Sequence, residues 1–307
     1  MDWKSGIAEA AERIAGHVRR TPACTLDGLG LAYPVEVKLE QMQHTGSFKA
    51  RGAFNTLLSG PVPQAGLVAA SGGNHGAAVA CAARALGHSA RIYVPEIAGP
   101  SKIALIRDLG ADLVIVPGAY AEAAERAAEW QASTGAMQIH AYDAPATVMG
   151  QGTCMAEWEE QGLQADTVLI AVGGGGLIGG ALGWLQGRRK VVAVEPERAP
   201  TLNAALRAGA PVPVEVSGVA ANALGAKQIG DICFGLARDQ DIGSVLVKDD
   251  AITAAQVTLW KSARQLVEPA GATALAALLS GAYVPEPDER VAVLVCGANV
   301  APDPLAG

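Results

Sequence analysis

Short apolar runs alternate along the chain with longer, alanine-rich segments. Several of the short runs are apolar at every position, which is typical of strands buried on both faces of a parallel sheet. The longer segments have the length and composition of helices that cover such a sheet. The predicted strands are 35–40, 66–71, 90–95, 111–117, 137–141, 166–173, 190–196, 244–249 and 290–297, and the predicted helices include 74–87, 101–109, 119–133, 176–187 and 252–265.

This alternation predicts an α/β fold with two open, mostly parallel sheets. Residues 60–142 contain a complete succession of strands and helices, so they are expected to form a sheet of their own. We therefore predict a large domain, residues 1–57 with 143–307, and a small domain, residues 58–142. The chain begins with an amphipathic helix-like segment that carries charges throughout, which is unlike a signal peptide.

Composition narrows the class of protein. Of the 307 residues, 50% are hydrophobic and 17% are charged, which is enough for a large core. The net charge of −7 is spread along the chain without a basic block, which argues against nucleic acid or an anionic membrane as a partner. No apolar run reaches the roughly 18–20 residues of a membrane span.

The cysteines and histidines favour neither a disulfide framework nor a metal site. There are five cysteines and five histidines, scattered along the chain without paired or metal-ligand spacing. An odd number of unpaired cysteines predicts a reducing, cytoplasmic location.

Lys49 is the first candidate for chemistry. It is one of eight lysines, and it follows the turn Thr45-Gly46-Ser47 at the start of a predicted helix. Most lysines in such a place are solvated surface residues. However, the positive end of the helix dipole disfavours a protonated amine, and a lowered pKa suits an amine nucleophile.

Two glycine-containing turns between a strand and a helix are candidate anion sites. The first is "SGGNHG", residues 71–76, which is equally consistent with an ordinary turn capped by Asn74. The second is "GGGGLIGG", residues 173–180, where four successive glycines favour a phosphate cradle. Gly174, Gly176 and Gly179, with Glu195 beyond them, also imitate a dinucleotide fingerprint.

The fourth candidate is Cys296 in "VLVCGAN", residues 293–299. It ends the last predicted strand, at the sheet edge where α/β proteins bind ligands, although most isolated cysteines are buried structural thiols. An amine, two anion cradles and a small polar group together suggest a phosphorylated aldehyde that is held covalently by the amine.

In the order and spacing of its motifs, the chain resembles a fold-type II pyridoxal-phosphate enzyme of the serine/threonine dehydratase group, which includes serine racemase. The resemblance covers nearly the whole chain. It implies a fold like that of the tryptophan synthase β chain, pyridoxal 5′-phosphate as cofactor, a homodimer and a small domain that closes over the substrate. The motifs are "EQMQHTGSFKARGA", "SGGNHG", "GGGGLIGG", "SGVAANALG", "VEPAGA" and "VCGAN".

Carried over position by position, the resemblance implies that Lys49 binds the cofactor covalently, with Phe48 beside the ring. Ser71, Gly72, Asn74 and His75 are then expected to hold the substrate carboxylate. The further cofactor residues that it implies are Asn74 at the 3′ oxygen, Gly173, Gly174, Gly175, Gly176 and Leu177 at the phosphate, Gly218 and Glu268 lining the cofactor, and Cys296 at the pyridine nitrogen.

Two departures from the family's pattern carry expectations. Serine racemases have a serine at the position of Gly72 as the second proton donor, so elimination is expected here rather than efficient racemisation. Relatives with a divalent cation have an acidic residue at the position of Thr201, after Glu195 and Ala199, so no metal site is expected. The chain ends eight residues after Asn299, so no C-terminal regulatory domain is expected.

The resemblance implies α,β-elimination from a 3-hydroxy amino acid such as L-threonine or L-serine, giving a 2-oxo acid and ammonia. Lys49 would be the base at Cα. The alternatives are a dehydratase of another hydroxy amino acid, including one in hydroxyectoine degradation, and a β-replacement enzyme or racemase on the same fold. More distant alternatives are an NAD(P)-dependent dehydrogenase and an amino-acid-binding protein without catalysis.

Overall fold

The computed structural model describes residues 1–96, 98, 100–118 and 120–300. Ala119, the first residue of the predicted helix 119–133, lies outside the described residues.

The described strands form two sheets, of six and four strands, and nearly all neighbours in them are parallel. The large sheet has the order β1-β2-β10-β7-β8-β9, and the small sheet has the order β5-β4-β3-β6. Only β1, which pairs with β2, is antiparallel among the described pairs. The strands are β1 Ala23–Leu26, β2 Val35–Leu39, β3 Leu67–Ala70, β4 Ala90–Pro95, β5 Asp112–Val116, β6 Met137–Gln138, β7 Thr167–Ala171, β8 Lys190–Pro196, β9 Gly243–Val247 and β10 Val291–Val295.

Helices cover both sheets, which confirms the predicted α/β class. All strands of the small sheet come from one continuous stretch of the chain, between Leu67 and Gln138. The helices are α1 Trp3–Ile14, α2 Lys49–Leu58, α3 Asn74–Leu86, α4 Pro100–Asp108, α5 Tyr120–Thr134, α6 Pro145–Glu160, α7 Gly176–Leu185, α8 Thr201–Ala208, α9 Ala221–Leu224, α10 Asp231–Asp239, α11 Asp249–Ala263 and α12 Pro269–Leu279.

Two departures from the predicted elements have physical causes. β1 was not predicted, because it is a four-residue edge strand whose two central residues are exposed, so no apolar run marks it. The helices α6, α8, α9, α10 and α12 were not among the predicted elements either. α6 and α12 are buried on nearly all sides, so they lack the polar face that produces a helical repeat in the sequence, and α8, α9 and α10 are short.

The centre of the large sheet determines where a site can form. β7 and β10 are buried at every residue, and they lie between the parallel strands β2 and β8. The carboxyl ends of parallel strands meet at one edge, where open α/β sheets bind ligands. At these ends stand Glu40, the four-glycine turn, Glu195 as the last residue but one of β8, and Cys296. Most of the sequence candidates therefore converge on one edge.

No helix among the described residues is long and apolar enough to cross a bilayer. The same part of the chain contains no cluster of three or more His, Cys, Asp or Glu side chains placed to hold a metal ion.

Candidate active site

Lys49 is the first residue of α2, and its side chain points into a cavity at the carboxyl edge of the large sheet. Its Nζ donates a hydrogen bond of 2.7 Å to the carbonyl of Ala141 and lies 5.2 Å from the centre of the Phe48 ring. Burial lowers the pKa of the Lys49 amine to about 8, and the Cys296 thiol opposes this shift. A pKa near neutrality gives the amine an appreciable unprotonated fraction, as a nucleophile or base requires.

A buried ion cluster fixes the helix that carries this lysine. Arg51, one half-turn along α2, donates two hydrogen bonds to Glu40, of 2.8 and 2.7 Å, and a third of 2.9 Å to Glu157 in α6. Lys38 completes the cluster with a contact of 2.6 Å to Glu157. Two cations and two anions in a buried site balance in charge, so α2 is anchored to β2 and α6.

The four-glycine turn joins β7 to α7 and presents unpaired donors. Among the described residues, the N–H groups of Gly174, Gly175, Gly176 and Leu177 have no hydrogen-bond acceptor. N–H groups at the start of a helix favour negative charge, so the turn has the form of an anion cradle.

Each glycine of this turn is also required by a close neighbour. A Cβ at Gly174 would lie 2.3 Å from the Tyr142 ring, and one at Gly175 would lie 2.5 Å from Cβ of Cys233. Gly175 in addition has φ +92°, which side chains rarely adopt. Backbone atoms of Leu224 and Tyr142 stand 2.8 and 3.0 Å from the corresponding positions at Gly173 and Gly176. Packing against protein therefore accounts for part of the glycine run, alongside the cradle.

Cys296 and Glu268 line the same cavity. The buried Cys296 thiol donates to the carbonyl of Ala270 over 3.3 Å, and burial together with Glu268 raises its pKa far above the ordinary value. Cys296 is therefore a neutral thiol at physiological pH.

Asn74 is held between two polar side chains at the start of α3. Its Nδ2 donates to Glu268 over 2.5 Å, and its Oδ1 accepts a bond of 2.8 Å from Asn299. One N–H of the Asn74 amide is left for a ligand. The residues brought together around the cavity are Phe48, Lys49, Asn74, Ala171, Gly173, Gly174, Gly175, Gly176, Leu177, Ala223, Leu224, Glu268, Ala270 and Cys296.

The "SGGNHG" turn lies beside this cavity, at the N-terminus of α3. The N–H of Gly73 is satisfied by Oγ of Ser71 at 3.2 Å, whereas those of Asn74, His75 and Gly76 have no acceptor among the described residues. His75 donates from Nε2 to the carbonyl of Ile139 at 2.8 Å. Burial and the nearby Lys49 lower the pKa of His75 to about 3, so its ring is neutral.

Gly72 and Gly218 are placed less directly. A Cβ at Gly72 would lie 2.2 Å from Cβ of Ala98. Gly218, with φ +86°, packs against the Asp249 carboxylate and is not among the residues around the cavity. Its contact with a cofactor stays a prediction.

Glu195 is buried and engaged by protein donors. It accepts hydrogen bonds from the N–H groups of Leu202 and Asn203, at 2.7 and 2.8 Å, and from Ser244 at 3.0 Å. The carboxylate is thereby tied to the start of α8 and offers no free oxygen to a ribose hydroxyl. The glycine pattern followed by Glu195 therefore resembles a dinucleotide-binding fingerprint in the sequence only, because Glu195 is not available to a dinucleotide.

Several residues at the site were not among the sequence candidates: Ala171, Ala223, Leu224 and Ala270 line the cavity, and Asn299, Ala141 and Tyr142 contact its residues. Asn299 belongs to the quoted "VCGAN" motif, so its position after Cys296 was a usable signal. Ala141 and Tyr142 follow a strand predicted over 137–141 that ends at Gln138. No local pattern indicates that they fold back over Lys49 and the four-glycine turn.

Comparison with known families accounts for this arrangement. The family of pyridoxal-phosphate dependent enzymes matches residues 14–297. The chain belongs to this family. Pyridoxal phosphate is therefore its cofactor, and the predicted fold type and cofactor are confirmed.

Individual relatives of this pyridoxal-phosphate enzyme include lyases and a racemase. L-threonine ammonia-lyase of Thermotoga maritima is 36% identical over 301 residues, covering 96% of this chain and 75% of the relative. Phenylserine dehydratase of Ralstonia pickettii is 35% identical, covering 96% and 92%. The solved structure of maize serine racemase superposes with a TM-score of 0.91 at 30% identity, covering 97% of this chain and 93% of that one.

The residues around the cavity fit this cofactor. An amine with a lowered pKa, Lys49, shares one cavity with four N–H groups that lack an acceptor. These are the two groups that bind an aldehyde and a phosphate. Phe48 adds an aromatic face close to the amine.

Proposed function

We propose that this protein is an ammonia-lyase that converts a 3-hydroxy amino acid, such as L-threonine or L-serine, to a 2-oxo acid and ammonia. One observation carries the proposal: the Lys49 amine, with a pKa of about 8, lies in one cavity with the unpaired N–H groups of the four-glycine turn. The relationship to L-threonine ammonia-lyase supports the choice of reaction.

Lys49 would hold the cofactor through its amine and would then serve as the base. Burial lowers the pKa of this amine to about 8 in the protein without ligand, which favours the neutral form that a general base requires. Its contact with the carbonyl of Ala141 keeps Nζ oriented in the cavity. Removal of the α-proton by Nζ is therefore the role that we assign to it.

Residues around the cofactor govern the later steps of the reaction. Pyridoxal phosphate, when bound, supplies the electron sink for the negative charge that develops at the α-carbon. The N–H groups of Gly174, Gly175 and Gly176 would hold its phosphate. The resemblance places Cys296 beside the ring nitrogen of the cofactor, where its neutral thiol would not stabilise a protonated nitrogen as a carboxylate would. We assign to Cys296 the role of favouring loss of the β-hydroxyl over reactions that need a long-lived negative charge at the α-carbon.

The start of α3 is the proposed seat of the substrate carboxylate. Its unpaired N–H groups, from Asn74 to Gly76, favour an anion, and the neutral His75 ring adds no charge of its own. Ser71 and Gly72 form the turn that leads into this helix. Asn74 retains one amide hydrogen for the 3′ oxygen of the cofactor.

The proposal is tested by spectroscopy and product analysis on Lys49→Ala. The purified protein is expected to show a visible absorption band and to release a 2-oxo acid from L-threonine or L-serine. Lys49→Ala is expected to lose both the band and turnover, while the exposed Lys4→Ala in α1 keeps both. A cofactor-loaded protein that retains its band and turnover without Lys49 would overturn the assignment.

Another hydroxy amino acid is the second candidate substrate, because phenylserine dehydratase is as similar in sequence as the threonine enzymes. A panel of 3-hydroxy amino acids with aliphatic and aromatic β-substituents, assayed for 2-oxo acid, separates the two. Preference for an aryl substituent by tenfold or more in kcat/KM, about 1.4 kcal/mol, would identify a phenylserine-type enzyme.

We also infer a two-domain, homodimeric, cytoplasmic enzyme in which residues 58–142 close over the substrate. The five cysteines are all free, in keeping with a reducing compartment. Val257, Trp260 and Leu266 are 45%, 49% and 47% exposed on or just after α11, and large apolar groups at such exposure suit a subunit interface. Light scattering on the purified protein tests the dimer.

A further inference from the structure

The anion cradle depends on how its carbonyl groups are held. In a trans peptide the C=O of one residue and the N–H of the next point in opposite directions. Fixing a carbonyl on the protein side of the four-glycine turn therefore aims the following N–H at the cavity.

Three successive carbonyls of the turn are held in this way. The Gly173 carbonyl accepts from Oγ1 of Thr201 at 2.6 Å, and the Gly174 carbonyl accepts from N–H of Gly230 at 3.1 Å. The Gly175 carbonyl accepts from N–H of Gly179 at 2.8 Å, within the first turn of α7. The N–H groups that follow, at Gly174, Gly175 and Gly176, are those without an acceptor among the described residues.

Thr201 is the one side chain among these three donors, and it is fully buried. Its position is fixed because it is the first residue of α8, and the next two N–H groups of that helix donate to Glu195. Its hydroxyl has a single proton and two acceptors within reach, the Gly173 carbonyl at 2.6 Å and a carboxylate oxygen of Glu195 at 3.3 Å. The much shorter contact assigns the proton to the Gly173 carbonyl.

We propose that Thr201 is a positioning residue for cofactor binding: its hydroxyl fixes the Gly173–Gly174 peptide plane and so aims the Gly174 N–H at the cofactor phosphate. This role depends on cofactor binding at the turn and not on which amino acid is the substrate. If the substrate proves to be a different amino acid, the role of Thr201 is unaffected. If Thr201 proves not to position the turn, the ammonia-lyase assignment is unaffected.

The test compares Thr201→Val with Thr201→Ser by titrating the apoprotein with pyridoxal phosphate and with pyridoxal, which lacks the phosphate. Valine keeps the shape of threonine without the hydroxyl, whereas serine keeps the hydroxyl. We expect Thr201→Val to weaken the binding of pyridoxal phosphate about tenfold, because one hydrogen bond to a charged group is misaligned. Its affinity for pyridoxal should change less than about twofold, and Thr201→Ser should bind both almost as the parent does.

An affinity for pyridoxal phosphate within about twofold of the parent in Thr201→Val would overturn the proposal. Equal loss of affinity for pyridoxal phosphate and pyridoxal would also overturn the proposal. That result would show a general change of the site and no specific effect on phosphate binding.

If Thr201→Val does not fold, Asp143→Ala tests the same principle at the next carbonyl of the turn, that of Gly174. Asp143 is only partly buried, so this change is less disruptive to folding. The Asp143 carboxylate accepts from N–H of Asp231 at 3.1 Å and of Ile232 at 3.0 Å, which places the neighbouring Gly230 N–H on the Gly174 carbonyl. Weaker binding of pyridoxal phosphate, with unchanged binding of pyridoxal, would support the proposal that held carbonyls aim the N–H groups of the turn. Unchanged binding of both ligands, or equal weakening of both, would overturn that proposal and with it the role of Thr201.

Discussion

The large and small sheets differ in how completely their strands are buried near the site. β7 and β10 of the large sheet are buried at every residue. In the small sheet, β3 is equally buried. Both sheets have partly exposed edge strands, β1 and β9 in the large sheet and β5 in the small one, but the large sheet has four interior strands and the small sheet has two. A smaller share of the small sheet is therefore covered on both sides.

The two sheets also carry different parts of the site: the cofactor residues lie at the large sheet, which with its helices we call the rigid half, and the proposed substrate turn lies at the small sheet, the adaptable half. The four-glycine turn, Cys296 and Thr201 follow strands of the large sheet, and Arg51 ties the helix of Lys49 to Glu40, directly after β2, and to α6. The small sheet leads to the turn from Ser71 to His75, the proposed seat of the substrate carboxylate. Since opening of a region is easier where fewer groups are buried, we expect cofactor binding to depend on the rigid half and substrate handling on the adaptable one.

Gly175→Ala should cause the largest loss of cofactor affinity, because the substitution lies in the rigid half. The new Cβ would collide with Cys233 at a backbone angle of φ +92°. Overpacking and backbone strain together cost about 3 kcal/mol or more, which corresponds to roughly 100-fold weaker binding of pyridoxal phosphate. Titration of the apoprotein measures this loss.

Gly187→Ala is the matched control for that variant. Gly187 follows the other end of α7 and also has positive φ, +75°, but a Cβ there meets nothing within 4 Å. It bears the backbone strain without the collision. Equal loss of affinity in the two variants would mean that strain alone, and not packing at the cradle, is responsible.

The Lys49 pKa predicts how cofactor uptake varies with pH. Its value of about 8 in the cofactor-free protein means that the amine is mostly protonated at about pH 7 and mostly neutral at about pH 9. The neutral amine attacks the aldehyde, so the rate of uptake should rise about tenfold over this interval and then level off. Stopped-flow absorbance measures the rate.

Pyridoxal serves as the control in this experiment, since it has no phosphate to ionise. The same midpoint with pyridoxal would assign the titration to the protein. His75 is not expected to contribute, because the pKa of its buried ring is about 3. A rate still rising steeply at about pH 10 would show an ordinary, solvated lysine.

Gly72→Ser is expected to act on the adaptable half, with a smaller effect. A serine there supplies the second proton donor that the resemblance associates with racemisation, but its Cβ would meet Ala98. The double variant Gly72→Ser with Ala98→Gly removes this collision. We expect it to raise racemisation relative to elimination several-fold, measured by chiral chromatography of L-serine reactions.

Ala98→Gly alone controls for loosening of the loop. A ratio unchanged in the double variant would mean that a hydroxyl at position 72 does not reach the substrate. An equal rise in the single variant would assign the effect to the loop.

Much of the fold was predictable because burial leaves a direct trace in the sequence. β7 is apolar from its second residue onward and is followed by the four-glycine turn, so both the strand and the anion cradle could be predicted. Lys49 and Cys296 were visible because they stand where strands and helices meet. β1, α6 and α12 were not, since an exposed edge strand and helices without a polar face have no periodic signal.

The contacts that shape the site were less predictable, because they join residues that are distant in the chain. In the sequence, Thr201 stands out only because relatives with a divalent cation have an acidic residue at its position, whereas in the structure it bonds to Gly173, 28 positions earlier. Tyr142 accounts for two of the four glycines, yet nothing near it in the sequence indicates so. Such pairings depend on how α8 and the segment after β6 pack, and no local pattern encodes that.

Removal of divalent cations should have the smallest effect, within about twofold on activity, because protein donors already occupy the groups that would bind a metal. Glu195 accepts from Leu202, Asn203 and Ser244, and the Ala199 carbonyl accepts from the N–H of Thr201 at 3.1 Å. A cation would have to displace these bonds and would gain only one carboxylate, whereas such ions favour several charged oxygens. Assays after EDTA treatment, with and without added Mg²⁺ or Ca²⁺, measure the effect. A large loss that is restored by the cation would show that the start of α8 rearranges to admit it, and the rigidity assigned to the large-sheet half would then be wrong at this corner.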